Sequence, residues 1–129
     1  SWDDIKLKRF DYKASNGTEI FFCYEDFKND ILLGFIRLRI PFKPFRKEIN
    51  QNSAGILELH VYGQAIQVGK GSDKVQHRGF GKALMSEAEK IAKEEFDIKK
   101  ILVTSGIGVR PYYYKLGYKL DGVYVSKQL

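Results

Sequence analysis

The residues with most chemical content lie in Gln76-His77-Arg78-Gly79-Phe80-Gly81-Lys82, a basic, glycine-bearing stretch that runs straight into a helical pattern. Glycines at 79 and 81 let a backbone approach a ligand with no Cβ in the way. If a helix begins there, its first unpaired N–H groups and the positive end of its dipole make a seat for a phosphate. Two other groups stand out. Glu58 and His60 are two apart, so they share one face of any strand that holds them. Tyr112-Tyr113-Tyr114 sits just after a proline and just before Leu116-Gly117.

The elements that must position these groups can be read from periodicity. Ala83, Leu84, Ala88, Ile91, Ala92 and Phe96 recur at helical spacing, while Lys82, Glu87, Lys90 and Lys93 take the other face. Glu89 and Lys93 stand one turn apart and can pair. Apolar strands flank the helix, Ile56 to Val61 before it and Lys100 to Thr104 after it. Strand, glycine-rich turn, helix and strand form a βαβ unit with an anion site at the helix start. An ordinary glycine-rich turn opening a packed helix is the plainer alternative. A dinucleotide-binding turn is not completed, because Leu84 stands where its third glycine belongs.

Upstream, Ile5 to Tyr12 reads as a strand or connecting segment and Glu19 to Tyr24 as a strand, with Asn16-Gly17 as a turn signal. Ile31 to Ile40 forms the next strand, with Leu32, Gly34, Ile36, Leu38 and Ile40 on one face and Arg37 and Arg39 on the other. Pro41 and Pro44 break the pattern into a loop, and Ser53-Ala54-Gly55 leads into the strand at Ile56. Tyr62 to Val75 is long for the connection between a strand and its helix, and suggests a lid or gate. Arg110 to Leu116 forms a short helix ended by Gly117, and Asp121-Gly122 marks a closing hairpin.

At 129 residues the chain is one domain, with 43% hydrophobic and 29% charged residues and no apolar run long enough for a bilayer. No signal peptide opens it, and its start at Ser1 suggests a piece of something longer. The single Cys23, within an apolar run, rules out a disulfide framework or a cysteine-held metal site in this segment and reads as a buried thiol. A net charge of +6 and a pI of about 9.3 suit polyanions such as CoA or RNA without fixing which. Lys6, Lys8 and Arg9 cluster early, and Arg37, Arg39, Lys43, Arg46 and Lys47 further along.

Gln76-His77-Arg78-Gly79-Phe80-Gly81 fits the pyrophosphate signature of the GNAT superfamily, which it resembles: Gln or Arg, two residues, Gly, one residue, Gly or Ala. Arg110 to Tyr118 is similar to the family's second signature, an aromatic helix ending in Leu-Gly-Tyr. Glu58 to Gly63, Val103 to Arg110 and Leu120 to Tyr124 further resemble the acetyltransferase-like domain of the Elongator catalytic-subunit family. The resemblance runs from about Tyr24 to the end.

The resemblance implies an α/β GNAT fold, a mixed and mostly antiparallel sheet flanked by helices and splayed at the acetyl-CoA site. It implies a cytoplasmic enzyme that uses acetyl-CoA to build a 5-carboxymethyl group on the wobble uridine of tRNA. The partners would be tRNA and a radical SAM domain of the same polypeptide, with a homodimer or Elongator-type subunits as further assemblies and no membrane. The iron–sulfur cluster and S-adenosylmethionine would belong to that other domain. A lysine N-acetyltransferase of proteins and a non-catalytic CoA-binding module are the alternatives.

Residue by residue, the resemblance assigns acetyl-CoA contacts to Glu58, Leu59, His60 and Val61, to Gln76, Arg78, Gly79, Phe80, Gly81 and Lys82, and to Tyr113. Tyr113 is the expected acid for the departing thiolate, with Tyr112 second, since a one-residue offset exchanges them. Glu58 and His60 are expected to relay a proton or activate water, and His77 to position its turn. Tyr114 and Pro111 depart from the family pattern, where a basic residue and Asn are usual.

Overall fold

The computed structural model describes residues 4–42, 53–62, 79–104 and 109–129. Its elements are β1 (Ile5–Ala14), β2 (Gly17–Asp26), β3 (Ile31–Ile40), β4 (Ser53–Val61), α1 (Phe80–Phe96), β5 (Lys100–Val103), α2 (Arg110–Lys115), β6 (Lys119–Asp121) and β7 (Tyr124–Gln128). They form one seven-stranded sheet in the order β1-β2-β3-β4-β5-β7-β6. Among the described residues, only β4 and β5 pair in parallel, across the crossover through α1, and the other pairs are antiparallel.

One face of the sheet carries the core. Ile20, Phe22, Ile36 and Leu38 are buried against Leu84, Met85, Ala88 and Ile91 of α1. That is the apolar stripe expected from helical periodicity. Cys23 is also buried, as a thiol in an apolar strand should be. Arg9 reaches from β1 to Glu95 on α1, at 2.7 and 2.8 Å, and holds that carboxyl below its usual range. Glu89 does not use Lys93. Its carboxylate is taken by Tyr118 and Lys127, because it faces the C-terminal strands rather than solvent.

Two β-bulges correct the simple alternation. Opposite β2, Tyr24 pairs with Gly34 but Glu25 pairs with Leu32, which leaves Leu33 as an extra residue. Leu32 is therefore turned outward, at 38% exposed, and Leu33 rather than Leu32 joins the buried side beneath Phe80. Opposite β4, Arg37 pairs with Glu58 but Leu38 pairs with Ile56, so Leu57 is the extra residue. The strand also begins earlier than its apolar run, since Ser53, Ala54 and Gly55 belong to β4 and make three of its four pairs with β5.

The first hairpin turns at Ser15 and Asn16, both at positive φ (47 and 65°), one residue before the Asn16-Gly17 signal. Gly17 is already in β2, where a Cβ would lie 2.8 Å from the Arg39 guanidinium. Arg39 needs that room, because it donates to the carbonyls of Ala14 (2.6 Å) and Ser15 (2.8 Å) and pairs with Glu19. At the chain's end the tight turn falls at Gly122-Val123, flanked by the pair Asp121 and Tyr124.

The bulge at Leu33 gives a direct test. Leu33→Ala should cost about 2–4 kcal/mol in urea unfolding, as for a buried leucine, and Leu32→Ala less than about 1 kcal/mol. Equal losses would mean that the bulge is misplaced.

Candidate functional site

β4 runs beside β5 only from Ser53 to Ile56, which pair with Lys100 to Val103. The Leu57 bulge follows at once, and β4 continues to Val61 still paired with β3. Among the described residues, nothing pairs with the other edge of Leu57–Val61, so its outward N–H and C=O groups are open to an extended ligand. The gap between the strands is a slot.

The start of α1 stands at the end of this slot. Gly79 precedes the helix at φ 91°, a left-handed value that glycine adopts without a Cβ penalty, and a Cβ there would meet nothing within 4 Å. Its carbonyl accepts from Ala83 at 2.7 Å, which closes the first turn. The helix has no side-chain cap and no acidic residue in its first turn. Its positive end therefore faces the slot without a built-in counter-charge. Phe80 is fully buried and anchors the turn under Leu33 and Tyr24. Lys82 is exposed on the outer face of that turn.

Gly81 serves a different need. A Cβ on it would run into the hydroxyl of Tyr112 and would stand 3.4 Å from Val61. Tyr112 of α2, the last residue of β4 and the first turn of α1 thus meet at one point. Tyr112 is 40% exposed, and burial raises its phenol pKa.

Tyr113 points inward and is 7% exposed, with its ring packed edge-on to Tyr112 at 5.2 Å and to Tyr118 at 5.9 Å. Desolvation raises its pKa as well, with the neighbouring Tyr112 adding to the effect. The helix end that holds it is a Schellman motif: Gly117 at φ 96°, Tyr118 N–H donating to the Tyr113 carbonyl and Gly117 N–H to the Tyr114 carbonyl, each at 3.1 Å. The ring contact of Tyr113 with Tyr118 is the apolar contact that accompanies such a motif. Tyr118 is itself fixed by Glu89, to which its hydroxyl donates at 2.7 Å, and by Lys127, 5.6 Å from its ring. Burial, then that hydrogen bond, raises the Tyr118 pKa strongly. Tyr114 and Pro111 are exposed on the other side of this short helix.

Glu58 and His60 share a strand face as expected, but it is the face opposite α1. Glu58 pairs with Arg37 at 3.3 Å, and His60 stacks on Phe35 at 5.7 Å and meets the Tyr62 ring at a tilt at 4.5 Å. Leu59 and Val61 are half-buried, with Val61 lining the slot beside Gly81. Gln76, His77 and Arg78 lie outside the described residues, as do nearly all of the connection between Tyr62 and Val75 and the basic residues Lys43, Arg46 and Lys47.

The Tyr112–Gly81 meeting of two helices was not legible from spacing, because the residues are far apart in sequence and only the tertiary fold joins them. Among the described residues, no group of three or more His, Cys, Asp or Glu side chains is placed to hold a metal. No described helix is long and apolar enough to cross a membrane.

A strand that parts from its parallel neighbour, with a glycine-bordered helix start facing the gap, agrees with a match to the acetyltransferase (GNAT) family over residues 1–118. The chain belongs to that family. It is 58% identical over 129 residues to the tRNA uridine(34) acetyltransferase of Methanocaldococcus jannaschii, covering 98% of this chain and 24% of that protein. It is 51% identical over 131 residues to Elongator complex protein 3 of Saccharomyces cerevisiae, again with 98% of the chain and 24% of the relative covered. The solved structure of Methanocaldococcus infernus Elp3 with an N-terminal deletion superposes at a TM-score of 0.84 with 57% identity, over 100% of this chain and 31% of that one. A spermidine/spermine N-acetyltransferase from Vibrio cholerae, at a TM-score of 0.59 and 13% identity, shares the fold. The chain thus spans about a quarter of the length of the curated relatives it matches.

Two measurements check this geometry. Gly81→Ala should be destabilising alone and much less so with Tyr112→Phe, because the hydroxyl that the new methyl meets is then gone; additive losses in the double variant would refute the contact. Phenols with raised pKa hold their protons more tightly when folded. Their contribution is present below the unfolded value of about 10 and is lost as pH rises above it. Stability should therefore fall above about pH 10, and Tyr118→Phe should be about 1–2 kcal/mol weaker at pH 7 but flatter in that alkaline window.

Proposed function

We propose that this chain is the acetyl-CoA-binding acetyltransferase domain of an enzyme that modifies the wobble uridine of cytoplasmic tRNA, installing a 5-carboxymethyl group. The observation that carries this reading is the slot between β4 and β5, with the uncapped start of α1 at its end and the Tyr112 hydroxyl on Gly81. Its support in kinship is the 58% identity to a relative named as a tRNA uridine(34) acetyltransferase.

In this reading the pyrophosphate of acetyl-CoA takes the N–H groups and positive dipole of the first turn of α1, from Gly79 to Lys82, with Gln76 and Arg78 flanking it. The pantetheine arm lies along the open edge of Leu57–Val61 and pairs with its backbone as an added strand would. Tyr112, at the junction of slot and helix, contacts the phosphate end of that arm. Tyr113, whose phenol is kept protonated by burial, is the acid at the sulfur.

Water adds to the thioester carbonyl carbon, and collapse of the tetrahedral adduct breaks the C–S bond. The phenol gives its proton to the departing thiolate, and the proton released by the water restores the phenol. From acetyl-CoA itself the products are acetate and the free thiol of CoA; where the acetyl methyl carbon has first been joined to the uridine, the same hydrolysis frees the thiol and leaves the carboxymethyl group on the base. A backbone N–H at the end of β4 stabilises the developing oxyanion. Glu58 and His60, which turn toward the other face of the sheet, are proposed to relay the proton released by the water. The radical step falls to the additional region of the longer relatives, with its iron–sulfur cluster and S-adenosylmethionine, since this chain has a single cysteine and that one is buried.

The test is release of free thiol from acetyl-CoA, with and without tRNA, by wild type, Tyr113→Phe and Tyr112→Phe. Tyr113→Phe should lower the turnover number about 100-fold with little change in KM, in the range of a lost general acid. Tyr112→Phe should mainly raise KM. Tyr113→Phe with wild-type turnover would remove it as the acid, and acetylation of a lysine peptide with no response to tRNA would replace the tRNA reading.

A further inference from the structure

One arginine stands apart from the others. Arg9 pairs with Asp11 and Glu95, Arg37 with Glu19 and Glu58, and Arg39 with Glu19. Arg110, at the first residue of α2, is the remaining arginine among the described residues, and no described carboxylate pairs with it. The side chain is half-buried, and its Nε is buried with no hydrogen-bond partner. A buried donor without an acceptor is costly, and native structures satisfy the great majority of them. The first turn of α2 holds no acidic residue that could serve this one.

Arg110 lies one helical turn before Tyr113, the ring assigned above to the sulfur. Residues three apart on a helix are neighbours, with Cβ atoms about 5–6 Å apart. The rings packed on Tyr113 are those of Tyr112 and Tyr118, both uncharged phenols. The cations of the adjoining strands are committed elsewhere. Lys127 donates to Glu89 and to the Leu116 carbonyl, and Lys100 pairs with Asp121 at 2.6 Å. Lys82 and Lys115 are exposed. A half-buried guanidinium with no counter-charge is thus carried beside the reacting end of the slot.

The chemistry proposed there creates the charge that would complement it. Hydrolysis breaks the C–S bond, and the oxygen of water becomes the second oxygen of a carboxyl group. That acid, with a reference pKa of about 4, passes its proton to solvent. A negative charge then stands where the thioester was neutral. A guanidinium presents its N–H donors as a fork that takes both oxygens of a carboxylate. Transfer to a lysine has no such need, because the product amide is neutral and a second cation disfavours the incoming ammonium. Resting on the acetyl-CoA reading above, we infer that Arg110 binds the carboxylate formed by thioester hydrolysis, as free acetate or as a carboxymethyl group on a base.

The test uses this chain with S-carboxymethyl-CoA and its uncharged twin S-carbamoylmethyl-CoA in isothermal titration. Wild type should bind the carboxymethyl form about tenfold tighter, in the range of a hydrogen bond to a charged group. Arg110→Gln should bind both alike, and Arg110→Lys should keep part of the preference, having the charge without the fork. Arg110→Gln should unfold no earlier than wild type on heating, since it has no partner to lose. A preference that survives in Arg110→Gln would overturn the assignment. So would a loss of affinity for both forms that vanishes with their 3′-dephospho counterparts, which would make Arg110 a clamp for a CoA phosphate. A second readout needs no CoA. Sodium acetate, 5-carboxymethyluridine and uridine are titrated separately while the N–H resonance of Arg110 Nε, identified by its absence in Arg110→Lys, is followed by NMR. Each carboxylate should shift it saturably, and uridine or sodium chloride should not; the carboxylate that saturates at lower concentration identifies the source. No shift with either carboxylate would refute the site. A shift in a wild-type chain that binds neither thioether would sink the acetyl-CoA reading and keep the carboxylate site. Equal binding of both thioethers by wild type would do the reverse.

Discussion

The parallel pairing of β4 with β5 stops after four residue pairs, and most of what this domain can do depends on that stop. A parallel ladder carried to the end of β4 would fill the edge of Leu57–Val61 with hydrogen bonds and leave no slot. The bulge at Leu57 sits at the point of parting, where an extra residue increases local twist and re-aims the strand. Pairing with β3 resumes beyond it, so the diverging half of β4 remains held on one side. The backbone groups left over on the other side would be a liability in a buried sheet. In the function proposed above, they are the groups with which the pantetheine arm pairs.

Two glycines at the start of α1 share a motif for unlike reasons. Gly79 has space around it and is required by its left-handed φ of 91°. Gly81 has an ordinary helical backbone and is required by the Tyr112 hydroxyl packed where a methyl would go. A sequence pattern that records both as glycine conceals that one is a matter of dihedral angle and the other of room. Likewise, Gly17 follows a turn signal but is needed for the approach of Arg39.

Much of this architecture was legible because its signals are local. The apolar stripe of α1, the strand at Ile31–Ile40 and the helix closing at Gly117 all follow from periodicity and end signals. The features that escaped are those that only pairing creates. Leu33 replaces Leu32 on the buried side because of a bulge set by the partner strand, and Ser53–Gly55 became strand because β5 pairs with them, against weak intrinsic preference. Glu89 and Lys93 fit a helical ion pair by spacing, but Tyr118 and Lys127 arrive from the C-terminal hairpin and take the carboxylate. Glu58 and His60 were correctly placed together, whereas the face they share is set by the register with β3.

The Schellman turn after α2 has a consequence for any molecule that enters the slot. Tyr113 is held twice over, its carbonyl by the N–H of Tyr118 and its ring by the ring of the same residue, which Glu89 and Lys127 hold in turn. Immobilising a flexible side chain at a binding interface ordinarily costs about 0.5–1.5 kcal/mol. For Tyr113 most of that loss of rotameric freedom is already incurred when the chain folds, so the ligand contact proposed for it would cost little further ordering.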